Sequence, residues 1–494
     1  MKAEILVNIT PSETRVARLE DGILVDIAIE RVGNRSLVGN IYNGKVVRVM
    51  PGMQAAFVEI GLEKAGFIHA NDIMQSQPPA TDDGKPAEAP DIRELLHEGQ
   101  TLPVQVIKEP ISSKGARLST HLSVSSRYLV YMPGVDHVGI SQRIEKEEER
   151  DRLRAQLDHA VDAGGMKEEG GGYIIRTVAD GVAEDEFRTD VEYLHRLWGL
   201  VKDKMTRLPP KTCIYHDLPL SLRTMRDVAA EDVERIRVDS IDIHRQMYRF
   251  TENFSPEMLE KLEHYEDKRP IFSLYGVEDE INKSLERKVK LKSGGYLIFD
   301  QTEAMTTIDV NTGGFVGHRN LGETIYTTNL EAASAIARQL RLRNLGGIII
   351  LDFIDMKDPE HRRQVMRRLE KELELDHVKM KVTGVSELGL VEMTRKRTSE
   401  SLQRLLCEPC EHCQGRGFLK SVETTSFSIL REIVNHAGTD GAKKRLVLAS
   451  PEVVERILDQ EAAYLSAAEQ EINCPIEFRT EGSYSQEQYD IITV

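Results

Sequence analysis

Met305-Thr306-Thr307-Ile308-Asp309-Val310-Asn311 and Ile348-Ile349-Ile350-Leu351-Asp352-Phe353-Ile354 are apolar, strand-like runs, and each carries one aspartate near its end. A charge inside such a run calls for a proton, a cationic partner or a metal ion. One shared divalent cation would satisfy both acids, and it points to metal-assisted chemistry on phosphate. Upstream, Tyr296 to Phe299 reads as a strand, Gln301 to Ala304 as a turn, and Met305 to Val310 as the returning strand. A helix from about Glu323 to Arg343 follows from Ile325, Ala333, Ile336, Ala337 and Leu340 near helical spacing, with Gly346-Gly347 past its end. The run from Ile348 to Ile354 is apolar enough to be covered on both faces. A helical crossover makes the two strands parallel and brings Asp309 and Asp352 to one edge of the sheet. The alternative is that these acids cap turns or form structural ion pairs, as Asp358 before Pro359 looks like a helix start.

Basic residues surround this pair in sequence: Arg338, Arg341 and Arg343 before the second run, Arg362, Arg363, Arg367 and Arg368 after it, then Arg395-Lys396-Arg397. Arginine forks and lysine point charges both suit phosphate. The Arg362 to Arg368 stretch reads mostly as a solvated helix face. Arg395, Lys396 and Arg397, directly after Leu388-Gly389-Leu390-Val391, are the better candidates for a cleft.

At 494 residues the chain has room for several domains. No apolar run reaches membrane-spanning length, and Met1-Lys2-Ala3-Glu4 lacks the apolar core of a signal peptide, so the expectation is a cytoplasmic protein with no membrane association. Five cysteines do not make a disulfide framework, and three fall together at Cys407, Cys410 and Cys413. A net charge of −16 opposes long-range attraction to a polyanion, so any nucleic-acid contact must be local. One local patch lies between Val38 and Leu122, where the runs 39–50, 55–60, 66–68, 101–108 and 116–120 suggest a small barrel. Within it Phe57, Phe67, Lys108 and Lys114 combine aromatic rings with cations, as single-stranded nucleic-acid sites do. Gln75 to Asp91, rich in Pro, Ala and acids, reads as a loop inserted in that barrel.

Gly44-Lys45-Val46, Pro51 to Val58 and Gly66-Phe67 resemble the S1 RNA-binding domain of the ribonuclease E and ribonuclease G family. Gly294-Gly295-Tyr296, Thr307 to Asn311, Leu345 to Ile348, Ile350 to Met356, Glu392 to Arg395 and Cys410-Glu411-His412-Cys413 follow in the family's order, so the resemblance covers the whole chain. Without a long C-terminal extension the chain resembles the shorter, ribonuclease G branch. The resemblance implies a multidomain α/β and β fold: an RNase H-like domain split between 1–37 and 220–284, an S1 domain of OB-type β-barrel at 38–125, a 5′-sensor region at 126–219, a DNase I-like catalytic domain at 285–406, a zinc link at 407–416 and a small α/β domain at 417–494. It implies that Asp309 and Asp352 hold a catalytic Mg2+ while Asn311 orients the scissile phosphate or an attacking water, with hydrolysis leaving a 5′ phosphate. It also implies that Arg176 and Thr177 contact the 5′ monophosphate of single-stranded RNA and that Val130 lines their pocket. The competing expectation for Arg176 is a surface ion pair. Ser126 stands where longer family members commonly have Gly. Maturation of the 16S rRNA 5′ end and mRNA decay are the expected roles, with rRNA precursors and mRNA as partners.

Cys410 and Cys413 offer two ligands where structural zinc wants four, and no second pair follows downstream. Two such pairs related by a two-fold axis complete a shared Zn2+ site, and the resemblance implies the same, with a homodimer or higher oligomer as the assembly. Cys407 overlaps the motif as an alternative ligand or spare thiol, His412 reads as a bystander, and a redox pair is the rival reading. Cys213 and Cys474 read as packing residues. Two other functions stay open at this point: a noncatalytic S1-type translation or ribosome-assembly factor, and a DNA phosphodiesterase.

Overall fold

The computed structural model describes residues 3–33, 35–74, 91–110, 115–163, 170–227, 233–254, 256–313, 321–376, 378–436 and 444–493. The chain forms two compact units, Met1–Leu405 and Leu406–Val494. Lys114 and nearly all of the loop expected from Gln75 to Asp91 lie outside the described residues.

The first unit opens with a five-stranded sheet. Ala3–Ile9 pairs antiparallel with Glu13–Glu20, which pairs with Ile23–Arg31. On its other side it runs parallel to Val233–Val238, which is followed by Leu262–His264. Residues far apart in sequence thus share one core, where Ile5 and Val7 pack with Ile236, Val238, Met225 and Met247. The intervening chain is inserted between the edge strand Ile23–Arg31 and the strand Val233–Val238, which are not adjacent in the sheet. Its first part is a barrel of Ile41–Met50, Ala55–Glu59, Gly66–His69, Arg117–Ser119 and Thr101–Lys108, the last strand pairing back on the first. Every strand end falls within two residues of the expected run. A Cβ at Gly44 would lie 2.5 Å from Val58 Cγ1 and 2.9 Å from Val104 Cγ2, so only glycine lets the barrel wall pack there.

The second inserted part is a four-stranded sheet, in the order Val138–Ile140, Gly172–Ile175, Leu129–Met132 and Val124–Ser125. The helix Glu184–Arg207 packs on it through Phe187, Val191, Leu194, Trp198 and Val201, spaced three or four residues apart. Asp190 falls in this apolar stripe. Its Oδ2 accepts from the Tyr128 N–H at 2.7 Å and lies 2.6 Å from the Ser126 hydroxyl. Serine at position 126 is therefore a buried partner of Asp190. Burial, above all, pushes the Asp190 carboxyl up to about 6. An unfolded aspartate titrates near ~3.9, so the folded state holds the proton more tightly. The stabilisation from Asp190 is then complete below about pH 4 and lost as pH rises through about 6. Thermal midpoints of wild type should fall across that window more than those of Asp190→Asn; parallel profiles would reject this assignment.

The last part of the first unit is a six-stranded sheet in the order Lys288–Lys290, Tyr296–Gln301, Met305–Asn311, Gly347–Asp352, Val391–Arg395 and Met380–Val385. The helix Leu321–Leu342 joins Met305–Asn311 to Gly347–Asp352, and those two strands are parallel, as the crossover requires. Leu297, Phe299, Ile308, Val310, Ile349, Leu351 and Met393 face this helix and the helix Pro359–Leu373, meeting Ala333, Ile336, Leu340, Val365 and Leu369. Asp358 caps the latter helix, accepting from the Glu360 N–H at 2.8 Å.

Two expectations are corrected here. The strand Gly347–Asp352 is covered on one face only, with Ile348 47% exposed, and Asp309 and Asp352 are exposed rather than sunk in apolar surroundings. Side chains alternate across a strand, so when helices cover one face the acids stand on the open one.

In the second unit Arg445–Ala449 is central, parallel to Ile476–Thr480 and antiparallel to Tyr489–Thr493. Val422–Asn435, Pro451–Asp459 and Ala462–Ile472 are its helices, and Ile429, Ile433, Val447, Val453 and Ile457 are at its core. No helix among the described residues is long and apolar enough to cross a membrane.

Candidate active site

Asp309 and Asp352 are direct partners across two parallel strands. Opposed residues on adjacent strands project to the same side, so the carboxylates stand next to each other on the open face. Asn311, two residues after Asp309 on the same extended strand, donates from Nδ2 to Asp309 Oδ2 at 2.7 Å. Gly295 lets this strand end close: a Cβ there would sit 2.7 Å from the Asn311 carbonyl oxygen. Partial burial first, and then the charges of Asp309 and Asp355, hold the Asp352 carboxyl above its ordinary value. The charges that act on Asp352 are thus themselves acidic, and a dication is the group that relieves such a pair. Among the described residues no third His, Cys, Asp or Glu joins it in a metal-ligating group. Two carboxylates with solvent and phosphate oxygens completing the shell fit magnesium, which keeps several waters.

The arginines expected to serve phosphate are mostly occupied elsewhere. Arg395 is 4% exposed, with Nε 2.8 Å from Asp376 Oδ2 and Nη1 2.9 Å from the Leu345 carbonyl oxygen. Arg343 is buried over the Phe299 ring, and burial pushes its guanidinium down to about 10. Arg341 binds Glu20 at 2.9 Å, and Arg338 lies 3.5 Å from Glu280. Each fastens the sheet or helix to its neighbours. Lys396 and Arg397 are exposed, the latter donating from Nε to the Gly346 carbonyl.

On the barrel, register produces a row that the sequence alone does not display. Phe57 is opposite Phe67, Phe67 opposite Arg117, and Arg117 opposite Lys108, while Arg48 faces Phe57 from the other side. Two aromatic rings flanked by cations across five strands match what single-stranded nucleic acid needs, stacking surfaces beside phosphate contacts. Arg48 and Arg117 were missed because strand pairing, not spacing along the chain, brings them there. Arg117 is steadied by Asp72 at 2.9 Å. Phe57→Ala and Phe67→Ala are each expected to weaken single-stranded RNA binding by about 1–3 kcal/mol, roughly 5- to 160-fold, in fluorescence anisotropy at fixed salt. Unchanged affinity in both variants would remove the row from the interface.

Arg176 and Thr177 line a cleft of about 890 Å³ together with Arg143, Arg223 and Asp227. Arg176 Nη1 donates to the Ser126 and Arg127 carbonyls at 2.9 and 3.1 Å, and Nη2 donates to Asp227 Oδ1 at 2.6 Å. The alternative ion pair for Arg176 is therefore present within the cleft wall, and an entering phosphate would compete with Asp227. Thr177 Oγ1 lies 2.7 Å from Ser141 Oγ. Val130 is half-buried opposite Ile174, a cleft-lining residue.

In the second unit Cys410 and Cys413 flank a tight turn in which the Gln414 N–H donates to the Cys410 carbonyl and the Arg416 N–H to the Cys413 carbonyl. Gln414, Gly415 and Gly417 are left-handed. The N–H groups of Gly417 and Gly415 draw the Cys413 thiol below its ordinary value, which favours the thiolate that a metal binds. Among the described residues no third His, Cys, Asp or Glu joins the two cysteines in a metal-ligating group.

Residues 123–398 match the Ribonuclease E/G family, 37–121 the S1 RNA binding domain, and 409–494 the RNase E/G, Thioredoxin-like domain. The chain is 52% identical over 493 residues to Ribonuclease G of Salmonella typhimurium strain SL1344 and equally to that of Escherichia coli strain K12, with 100% of both proteins covered in each pairing. It is 35% identical over 474 residues to Ribonuclease E of Haemophilus influenzae, covering 96% of this chain and 50% of that protein. These ribonuclease relatives disfavour the noncatalytic alternative. The paired acids, the aromatic and basic barrel surface and these likenesses converge: the chain belongs to the ribonuclease E/G family and is an endoribonuclease most like ribonuclease G.

Proposed function

We propose that this endoribonuclease is magnesium-dependent, cuts single-stranded RNA to leave 5′ phosphates, prefers 5′-monophosphorylated substrates, and acts in the cytoplasm on rRNA precursors, including the 16S rRNA 5′ end, and on mRNA. One observation carries the reading: Asp309 and Asp352 stand in register on the open face, with Asn311 tied to Asp309. Asp309 and Asp352 would hold the ion. Magnesium bound there supplies a Lewis acid for the phosphate and a more acidic water. Asn311 fixes the Asp309 carboxylate through one Nδ2 hydrogen, leaving the other to donate to the scissile phosphate and its carbonyl oxygen to accept from a water. Arg176, Thr177 and the wall beside Val130 would take the 5′ monophosphate, an Arg fork suiting a terminal phosphate. The barrel row would bind the strand, with Lys114 adding charge. The strand order of the first sheet supports an RNase H-like domain, and the helix-backed mixed sheet supports a DNase I-like catalytic domain.

Paired 5′-monophosphate and 5′-hydroxyl RNAs test the reading with and without magnesium, on wild type and on Arg176→Lys, which keeps the charge but not the fork. Expected are metal-dependent cleavage, at least a tenfold preference for the monophosphate, and collapse of that preference in the variant. Full activity in a chelator would reject the metal. Equal rates on both ends would reject the sensing role.

The turn that carries the exposed Cys410 and the half-buried Cys413 supports a Zn2+ ion shared between two chains in a homodimer. Cys410→Ser and Cys413→Ser are expected to lose zinc, measured as metal per chain, and to shift the sedimenting species to half its mass. Retained zinc in both variants would overturn the site.

A further inference from the structure

The open face of the six-stranded sheet holds a residue with no role in the reading above. Tyr296 is directly opposite Asn311, and Ile298 directly opposite Asp309, so the Tyr296 ring and the paired acids project to the same side. Tyr296 is half-buried, whereas its neighbours Leu297 and Phe299 point into the core. Asp309 is its diagonal neighbour, about 7–8 Å away. Beyond Tyr296 the edge strand adds Lys290 opposite Tyr296 and Lys288 opposite Ile298, both exposed. The Lys288 ammonium sits 3.7 Å from the centroid of the Tyr296 ring. Crossing the sheet from its edge, the open face therefore presents two lysines, an aromatic ring, and then the carboxylate pair. A phosphate group, a base and a cleavable linkage follow one another in the same way along an extended RNA strand.

We propose that Tyr296 is a positioning residue: its ring stacks the base of a nucleotide flanking the scissile linkage, while Lys288 and Lys290 hold the adjoining phosphate. This rests on Asp309 and Asp352 being the catalytic pair. Every base has a π face, so a tyrosine platform takes any base and fixes the position of the cut rather than its sequence. The cation held against the ring keeps positive charge beside the place where the phosphate passes, and a stacking base takes over the ring face it covers.

The test uses the full-length protein and a 5′-monophosphorylated single-stranded RNA with one mapped cleavage site, prepared intact and with a single abasic riboside at each position flanking the cut. Tyr296→Ala is expected to lower kcat/KM on the intact RNA about 10- to 100-fold, the scale of one lost stacked base, and Tyr296→Phe to restore most of it. At one flanking position the abasic substrate should reduce the wild-type rate to the level of Tyr296→Ala, and the substitution should cost nothing further there. An equal loss on intact and abasic RNAs would mean a structural role and overturn the proposal. So would full activity of Tyr296→Ala on every substrate. Asp309→Asn in parallel separates the two readings: if it still cuts, the catalytic pair is wrong, whereas an inactive Asp309→Asn beside a fully active Tyr296→Ala refutes the platform alone.

Discussion

Asp309→Asn is expected to lower RNA cleavage by about 1,000-fold or more while leaving fold and RNA affinity nearly intact. The substitution keeps the size of the side chain and an oxygen that can still accept from Asn311 Nδ2, at the bond that measures 2.7 Å in the structure. It removes one of two negative charges that stand side by side on the open face. Asp309 is exposed, so the change in stability should stay within about 0.5 kcal/mol, with any gain coming from relief of repulsion with Asp352. The aromatic and basic row on the barrel is untouched, so affinity for an uncleaved strand should persist. What disappears is half of the anionic cradle for a dication, and removing one group that stabilises developing charge costs on the order of 100- to 1,000-fold even without a metal. Single-turnover cleavage checks the rate, anisotropy checks RNA binding, and calorimetric titration with magnesium checks the ion. Undiminished cleavage in this variant, or in Asp352→Asn, would sink the assignment of the pair.

Much of this arrangement was legible in the sequence, and the misses have identifiable physical causes. The strand, helix and strand around the two acids stood out because apolar periods of 2 and 3.6 differ and because glycine and proline mark the ends. The parallel pairing followed from the crossover. The exposure of the acids was missed because Ile348-Ile349-Ile350-Leu351 is apolar throughout and hides which face is open. In the preceding strand the alternation is visible, with Ile308 and Val310 inward and Asp309 and Asn311 outward. Arg395 could not be placed from local pattern, since its partner Asp376 belongs to a different connection and only the fold brings them together. The alignment of Phe57, Phe67, Arg117 and Lys108 likewise depends on register across three strand pairings, which spacing along the chain does not specify.

Arg395→Ala should destabilise the first unit by about 3–5 kcal/mol, the range for removing one member of a buried ion pair. Arg395 and Asp376 side chains are 3% and 5% exposed, so solvent cannot replace the missing partner. The guanidinium also donates to the Leu345 carbonyl and, at 3.1 Å, to Asn344 Oδ1, in the turn that leads into Gly347–Asp352. Asp376 in turn accepts from the Val378 N–H at 2.8 Å. Gly347 pairs directly with Arg395, so the clamp fixes the start of the strand whose far end carries Asp352. Losing it leaves the buried Asp376 carboxylate without its cation and takes a donor from the Leu345 carbonyl. Arg395→Lys should recover only part of the stability, because an ammonium cannot reproduce the fork to Asp376, Asn344 and Leu345. Replacing both partners with apolar residues of similar volume, Arg395→Met with Asp376→Leu, should recover more than either single change, since no charge is then left buried alone. Urea midpoints at neutral pH measure wild type, Arg395→Ala, Arg395→Lys, the single replacements Arg395→Met and Asp376→Leu, and the double replacement. If Arg395→Ala shifts stability by less than about 1 kcal/mol, or the double replacement is worse than the sum of its parts, Arg395 is not a buried clamp and its cationic head is available to the cleft after all.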